Sequence, residues 1–366
     1  MTPRKTAVTL ADGRTLIYFG AIPARPADYP DRRQLAPAAY QSEARFDWLL
    51  GEWVVVASHR QDRTFQPLES RCPLCPSTAG RRTEIPAPEY EVVVFENRFP
   101  VFASHPTGTP ATPAQPEGSD RLLCARPAAG RCEVVCFTQR HDASFADLST
   151  AQAATVMAAW VDRSADLARQ PDVTQVYCFE NRGAEIGVTL SHPHGQIYGF
   201  PYVTPRTART LQSCASYTRE TGRNLFDDLL AAELADAARI VLTGTHWVAL
   251  VPHAARWPYE VHLYPRRRVP DLPALSEAAR AEFCELYLDL LRRFDRLFGE
   301  PAPYISAWHQ APVRVDRSDF ALHLELFTVR RAPGKLKYLA GSESGMGAFA
   351  TDVAPETAAS RLRALG

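Results

Sequence analysis

Ser191-His192-Pro193-His194-Gly195-Gln196 is the stretch whose residue types and spacing best fit chemistry. Two imidazoles two positions apart, with an amide two further on, share one face of an extended chain, because alternate residues of a strand point the same way. Imidazole can serve as metal ligand, general acid or base, or nucleophile, so the pair alone leaves the choice open, a purely structural role included. Pro193 has no amide hydrogen, which suggests an edge strand or the mouth of a sheet. Cys72-Pro73-Leu74-Cys75 is the second reactive cluster. Two thiolates at this spacing converge on one tetrahedral metal, usually zinc, and a Pro-rich turn with no helix after it disfavours a redox pair. No second C-x2-C follows, so histidines must complete the set; His59, His105, His141, His192 and His194 are available. Arg60 and Arg63, just after a strand, are either solvated surface or a phosphate clamp of planar guanidinium groups.

The elements that must position these groups follow from periodicity. Gly51–Ser58, Glu91–Phe95, Cys132–Phe137 and Val173–Phe179 read as strands, and Ala7–Leu10 with Leu16–Phe19 as a hairpin. Ser149 with Gln152 three residues on is a capping box, opening an amphipathic helix to about Arg169. Asn181 to Thr189 is a loop containing Gly183 and Gly187, where backbone amides can approach an anion. The pattern then recurs. His246–Pro252 and Trp257–Pro265 are strands, Ser276 caps a helix to about Phe298, and Tyr304–His309 and Phe320–Phe327 are strands.

The order β-β-α-β-β thus occurs twice, and the caps Ser149 and Ser276 are spaced like Glu133 and Glu260. This is a duplicated fold, an α+β chain with mostly antiparallel sheets and one long helix packed in each copy. The expected division is 1–44 as an N-terminal extension, 45–205 and 206–350 as the two copies, and 351–366 as a tail. Copy two keeps the frame but has Asn224 and Asp227 where copy one has its cysteines, and Arg268 for His141. The last strand aligns His323 and Glu325 with His192 and His194, with a register uncertain by two residues. The full reactive set belongs to copy one, which groups Cys72, Cys75, His141 and His192 as one zinc site and leaves His194 for another task.

Composition bounds the rest. The 366 residues carry 41 basic and 41 acidic side chains, a balance that argues against nucleic acid as a partner but not against a small phosphorylated ligand. Nothing approaches the roughly 20 apolar residues of a membrane span. No apolar stretch of the kind found in a secretory leader follows Met1–Lys5, and with eight cysteines in a large chain the expected location is the cytoplasm.

Taken together, Cys72-x2-Cys75, His141, Glu180-Asn181-Arg182-Gly183, His192-Pro193-His194-Gly195-Gln196 and Lys335–Glu343 resemble the galactose-1-phosphate uridylyltransferase family, a duplicated branch of the histidine-triad superfamily. The likeness covers about Arg45 to Ala348. It implies two tandem histidine-triad-like domains and a ping-pong exchange of UMP between UDP-glucose and galactose 1-phosphate, with His194 as nucleophile and Gln196 as its partner. Gln in place of a third histidine favours transfer over hydrolysis, because a sugar phosphate needs no general acid. By the same resemblance Arg60 and Arg63 contact the phosphates, Asn97 the uridine, and Asn181, Gly187 and Thr189 the phosphoryl centre. Lys337 and Glu343 reach a hexose in the partner subunit of a homodimer. One structural zinc per subunit is held by Cys72, Cys75, His141 and His192. Some members hold a second metal with a glutamate and three histidines; here His309 and His323 remain, but Glu325 and Thr210 fill the other places, so a second metal is not expected. Ser342 stands where some members have a sugar-contacting tyrosine. The alternative on the same fold is an adenylyltransferase or nucleoside-diphosphate-sugar phosphorylase acting on another nucleotide sugar.

Overall fold

The computed structural model describes residues 3–23, 25–37, 42–62, 67–103 and 122–366. Arg63 therefore lies outside the described residues. The first half contains β1 (Lys5–Thr9), β2 (Thr15–Phe19), β3 (Glu43–Asp47), β4 (Glu52–Val56), β5 (Val92–Glu96), β6 (Ala125–Pro127), β7 (Arg131–Cys136), α1 (Thr150–Ala168), β8 (Gln175–Arg182) and β9 (His194–Phe200). Helices α2 (Pro205–Thr221) and α3 (Leu225–Asp236) lead into the second half. It comprises β10 (Ile240–Thr243), β11 (Trp247–Leu250), β12 (Tyr259–Pro265), α4 (Glu277–Leu297), β13 (Tyr304–His309), β14 (His323–Thr328), the short β15 (Arg330–Ala332) and β16 (Lys335–Leu336), and α5 (Pro355–Arg363).

Eleven strands form one sheet in the order β1-β2-β5-β7-β9-β8-β13-β14-β12-β11-β10, every neighbouring pair antiparallel. The second half repeats the strand order of the first in mirror sequence. The sequence suggests a sheet in each copy; in fact the two are one, joined where β8 pairs β13 from Tyr304↔Arg182 to Trp308↔Cys178. A three-stranded sheet, β4-β3-β6, stands apart from it. Val92–Phe95 is an unbroken apolar run because these four residues of β5 are buried on both faces of the sheet.

α1 and α4 lie side by side on one face of the large sheet and bury Val156, Met157, Trp160, Phe283, Tyr287 and Leu291 in one continuous core with strand residues of both halves. Each begins where the sequence predicts. Ser149 Oγ accepts the Gln152 amide at 3.2 Å, and Ser276 Oγ accepts that of Ala279 at 3.2 Å. Only half of the predicted capping box forms, however: the Gln152 side chain turns away and donates to the Phe137 carbonyl at 3.0 Å. The spacing that matches Glu133 with Glu260 also fails, by strand parity. Glu133 faces α1, where Arg163 Nε and Nη2 donate to it at 2.8 and 2.9 Å. Glu260 instead shares with His262 and Glu325 the face away from the helices. A shift of one residue turns a strand side chain to the other face, so the true repeat differs from the cap spacing by an odd number.

β9 is an interior strand, paired to β7 and to β8, so of the two places Pro193 suggests, an edge strand or the mouth of a sheet, the second holds. Pairing starts at His194, and Pro193 sits just outside, where its missing amide hydrogen costs no ladder bond. Among the described residues no helix is long and apolar enough to cross a membrane.

Candidate active site and metal centre

Four of the predicted ligands meet. Cys72 and Cys75 sit in the turn after residues 69–71, His141 follows β7, and His192 precedes β9. One ligand atom from each lies within 4.8 Å of all the others. Cys75 Sγ is 3.4 Å from His141 Nδ1 and 3.6 Å from His192 Nδ1. Tetrahedral zinc, with its usual bond lengths to sulfur and nitrogen, sets that separation at about 3.6 Å. The chemistry of the donors agrees. His192 Nε2 lies 2.8 Å from the Thr138 carbonyl, which can only accept, so Nε2 carries the proton and Nδ1 keeps its lone pair for a metal. Burial and the neighbouring Cys72 push the Cys75 thiol up to about 11, so that sulfur ionises at neutral pH only if a cation joins it. The four residues fit a zinc ion.

His194 turns elsewhere. Its Nδ1 donates to the carbonyl of His192 at 2.7 Å, which fixes the tautomer and leaves the Nε2 lone pair free. Burial holds its pKa below the ordinary histidine value, so the ring is neutral at pH 7. Gln196, on the same face, has its amide oxygen engaged by the Tyr198 hydroxyl at 3.1 Å, which leaves the amide NH2 to donate outward. Gly195 between them faces the helices: a Cβ there would stand 2.8 Å from the Phe137 ring and 2.9 Å from the Phe179 carbonyl. The strand therefore presents an imidazole lone pair and an amide donor side by side, with no room for a side chain behind.

Two cavities meet at His194. One, of about 270 Å³, is walled by Arg60, Phe95, Asn97, Thr189 and Gln196. Asn97 Oδ1 is taken by the Phe99 amide at 2.8 Å, so its NH2 is left to donate. Arg60 Nη1 is buried and has no hydrogen-bond partner among the described residues. The aromatic walls and unused donors suit a flat base and an anionic phosphate. The second cavity, of about 370 Å³, is lined by Glu180, Asn181, Arg182, Ser191 and Asp295. Gly187, at the end of the 184–186 turn, has φ +77°, a conformation that favours glycine. Lys337 and Glu343 line neither cavity; they pair with each other at 3.2 Å on the segment after β16, where Gly341–Gly345 form one wide helical turn.

Sequence models of the galactose-1-phosphate uridyl transferase N-terminal and C-terminal domains match residues 31–204 and 210–366. The chain belongs to the galactose-1-phosphate uridylyltransferase family. It is 51% identical to the galactose-1-phosphate uridylyltransferase of Streptomyces lividans, over 98% of this chain and 97% of that one. A solved uridylyltransferase structure is 32% identical and superposes with a TM-score of 0.76, covering 88% of this chain and 98% of that one. An ADP-glucose phosphorylase from Arabidopsis thaliana, solved with ADP-glucose, shares the fold at 22% identity and TM-score 0.66, covering 88% of this chain and 98% of that one. Membership makes the chain an enzyme of the transferase class, built as an α+β duplication with large antiparallel sheets.

Within this uridylyltransferase-family chain the second half holds a buried polar cluster on the same sheet face. His309, His323 and Glu325 lie together, and Glu260 with His262 forms a second group sharing Glu325. Sequence reading found the first three and missed the last two, although His262 two after Glu260 was a parity signal. Arg206 Nη2 meets Glu325 Oε1 at 2.6 Å, and His262 Nε2 meets Glu260 Oε1 at 2.8 Å. The carboxylate of Glu325 is held well below its usual range by the histidines around it, against its burial. Also missed were Tyr198, Glu84 and Arg98. Tyr198 lies two residues beyond Gln196 and could have been found by the same alternation.

Proposed function

We propose that this enzyme moves UMP from UDP-glucose to galactose 1-phosphate through a covalent uridylyl-histidine. The observation that carries the reading is the fixed tautomer of His194, whose free Nε2 stands beside the donor NH2 of Gln196 at the junction of two cavities. In the first step Nε2 attacks the α-phosphorus of UDP-glucose. A P–N bond forms, the bond from phosphorus to the bridging oxygen breaks, and glucose 1-phosphate leaves as the anion. In the second step a phosphate oxygen of galactose 1-phosphate attacks the same phosphorus, the P–N bond breaks, and the imidazole regains its lone pair. Gln196 donates to a non-bridging oxygen as charge gathers there.

Arg60 and Arg63 contact the diphosphate, Asn97 the uridine, and Asn181, Gly187 and Thr189 the phosphoryl group. Lys337 and Glu343 act in the site of a partner subunit, in keeping with their place outside both cavities of their own chain. Cys72, Cys75, His141 and His192 hold zinc, which when bound supplies a structural cross-link between the 72–75 turn and the start of β9; four protein ligands leave it no open position. The units of the reading are residues 45–205 and 206–350, with 1–44 and 351–366 as extensions, in a cytoplasmic homodimer.

The test is to incubate the protein with labelled UDP-glucose, isolate it, and add galactose 1-phosphate. Label should enter the protein, be absent from His194→Ala, and leave as UDP-galactose. Labelling by ADP-glucose alone would replace this reading with the adenylyl alternative, whose support is the shared fold of the ADP-glucose phosphorylase.

A further inference from the structure

The residues before the family match at residue 31 have no part in the reaction above, yet one of them holds a residue that lines the nucleotide cavity. Arg14, the residue before β2, is 1% exposed. Its guanidinium spends its donors in three directions. Nε donates to Asp12 Oδ2 at 2.8 Å, Nη1 to the Glu96 carbonyl at 2.7 Å, and Nη2 to Glu84 Oε2 at 2.5 Å. One of these acceptors lines the cavity, and a second adjoins residues that do. Glu84 lines the cavity itself, and Glu96 is the last residue of β5, directly before Asn97 and Arg98, which also line it.

The network has a second tie to the same wall. Arg33 Nη1 meets Glu84 Oε1 at 2.7 Å and is itself held by Asp31, whose Oδ2 accepts the Ala11 amide at 3.0 Å. Arg98 Nη1 is 3.6 Å from Glu84 Oε1, the longest contact in the set, and its side chain is the most exposed. Asp12, Asp31 and Glu84 are thus opposed by Arg14, Arg33 and Arg98, with two of the guanidinium groups locked and one loose. A loose arginine beside a held carboxylate can move to an incoming phosphate or ribose, while a held carboxylate keeps it from collapsing elsewhere.

We infer that Arg14 is a positioning residue for the nucleotide subsite: by clamping Glu84 and the Glu96 carbonyl it sets where Asn97 and Arg98 stand. Lysine cannot replace it, because one ammonium cannot satisfy three acceptors placed around a planar fork. The inference rests on the reading of this cavity as the nucleotide site, and the experiment separates the two.

UDP and ADP are each titrated calorimetrically into wild-type enzyme and into Arg14→Lys, with zinc content and circular dichroism measured on both. The expected result is at least a tenfold weaker Kd for UDP in Arg14→Lys at unchanged zinc content. In the uridylylated enzyme, the KM for galactose 1-phosphate should stay within twofold, since that substrate adds to a nucleotide already attached. A merely structural role would lower the amount of active protein for both substrates alike and leave the UDP affinity of the folded fraction unchanged, and that result would overturn the inference. If the tenfold loss falls on ADP instead, Arg14 keeps its role and the base assignment fails. If the wild type binds neither nucleotide, both fail. Should Arg14→Lys not fold, Glu84→Gln, which keeps the shape and removes the charge that holds both arginines, is expected to show the same split.

Discussion

Glu180 offers a quantitative test of how the wall behind His194 is built. It is 5% exposed, its Oε2 has no hydrogen-bond partner among the described residues, and the nearby Tyr304 hydroxyl has none either. Arg182, the closest cation by sequence, is committed to Asp295 at 2.6 Å. Burial consequently pushes the Glu180 carboxyl from its ordinary 4.5 up to about 8, against a smaller opposing pull from Tyr304 and Arg182. The folded state then holds a proton that the unfolded chain has already released. Stability from this group is complete below the unfolded value and falls as pH rises through the folded one. Integrated between pH 6 and pH 8, the loss is ~2 kcal/mol. Glu180→Gln keeps the shape and abolishes the titration. The melting temperatures of wild type and Glu180→Gln, measured at pH 6, 7 and 8 in matched buffers, should therefore diverge in favour of the variant by ~3 °C over that range. A difference that stays constant with pH would refute the reasoning, because it would mean that Glu180 is already ionised and paired at pH 6.

Three further outcomes are expected. Cys75→Ser should lower the bound zinc found by elemental analysis well below one per chain and speed amide hydrogen exchange at the start of β9, and prolonged chelation of the unaltered protein should do the same. Tyr198→Phe removes the hydroxyl that orients the Gln196 amide; the rate of label transfer from UDP-glucose should fall severalfold with UDP affinity unchanged, whereas Gln196→Ala should cost about 10²-fold. Arg163→Met leaves the buried Glu133 with only Arg131 Nε, at 3.1 Å, as its cation partner among the described residues; chemical denaturation should show a loss no larger than the lower end of about 3–5 kcal/mol, with part of it restored by adding Glu133→Gln.

Much of this architecture is legible in the chain. The helices declare themselves through Ser149 and Ser276 and a regular apolar stripe, and the strands through runs such as Val92–Phe95. The four metal donors can be grouped from sequence because only one copy of the duplication carries them. Register is the weak point. The side-chain direction of a strand reverses with each residue, so an alignment fixed on helix caps cannot say which face Glu260 occupies, and the error hid the Glu260–His262 group. Pro193 allowed two readings, an edge strand or the mouth of a sheet, and the second holds: it disfavours a central strand only inside the ladder, and here it falls one residue short. Arg14 was not readable at all as part of a site. A buried ion network joins residues far apart in the chain, and no local pattern marks a guanidinium that will meet Glu84 and the end of β5.

The β8–β13 seam gives the second half a reason to exist that has nothing to do with reactive groups. If the chain were cut in two, each piece would present β8 or β13 as an edge strand with one row of amides and carbonyls unpaired, the kind of margin along which proteins stick to their own kind. While the halves remain one polypeptide, each is a permanent cap for the other. A copy in this position can lack the paired cysteines and the second histidine of the first half and still be needed, since it also supplies closure. The degenerate half is best regarded as a hem sewn along an otherwise raw edge, and separate expression of residues 1–205 should yield aggregates where the intact chain stays dispersed.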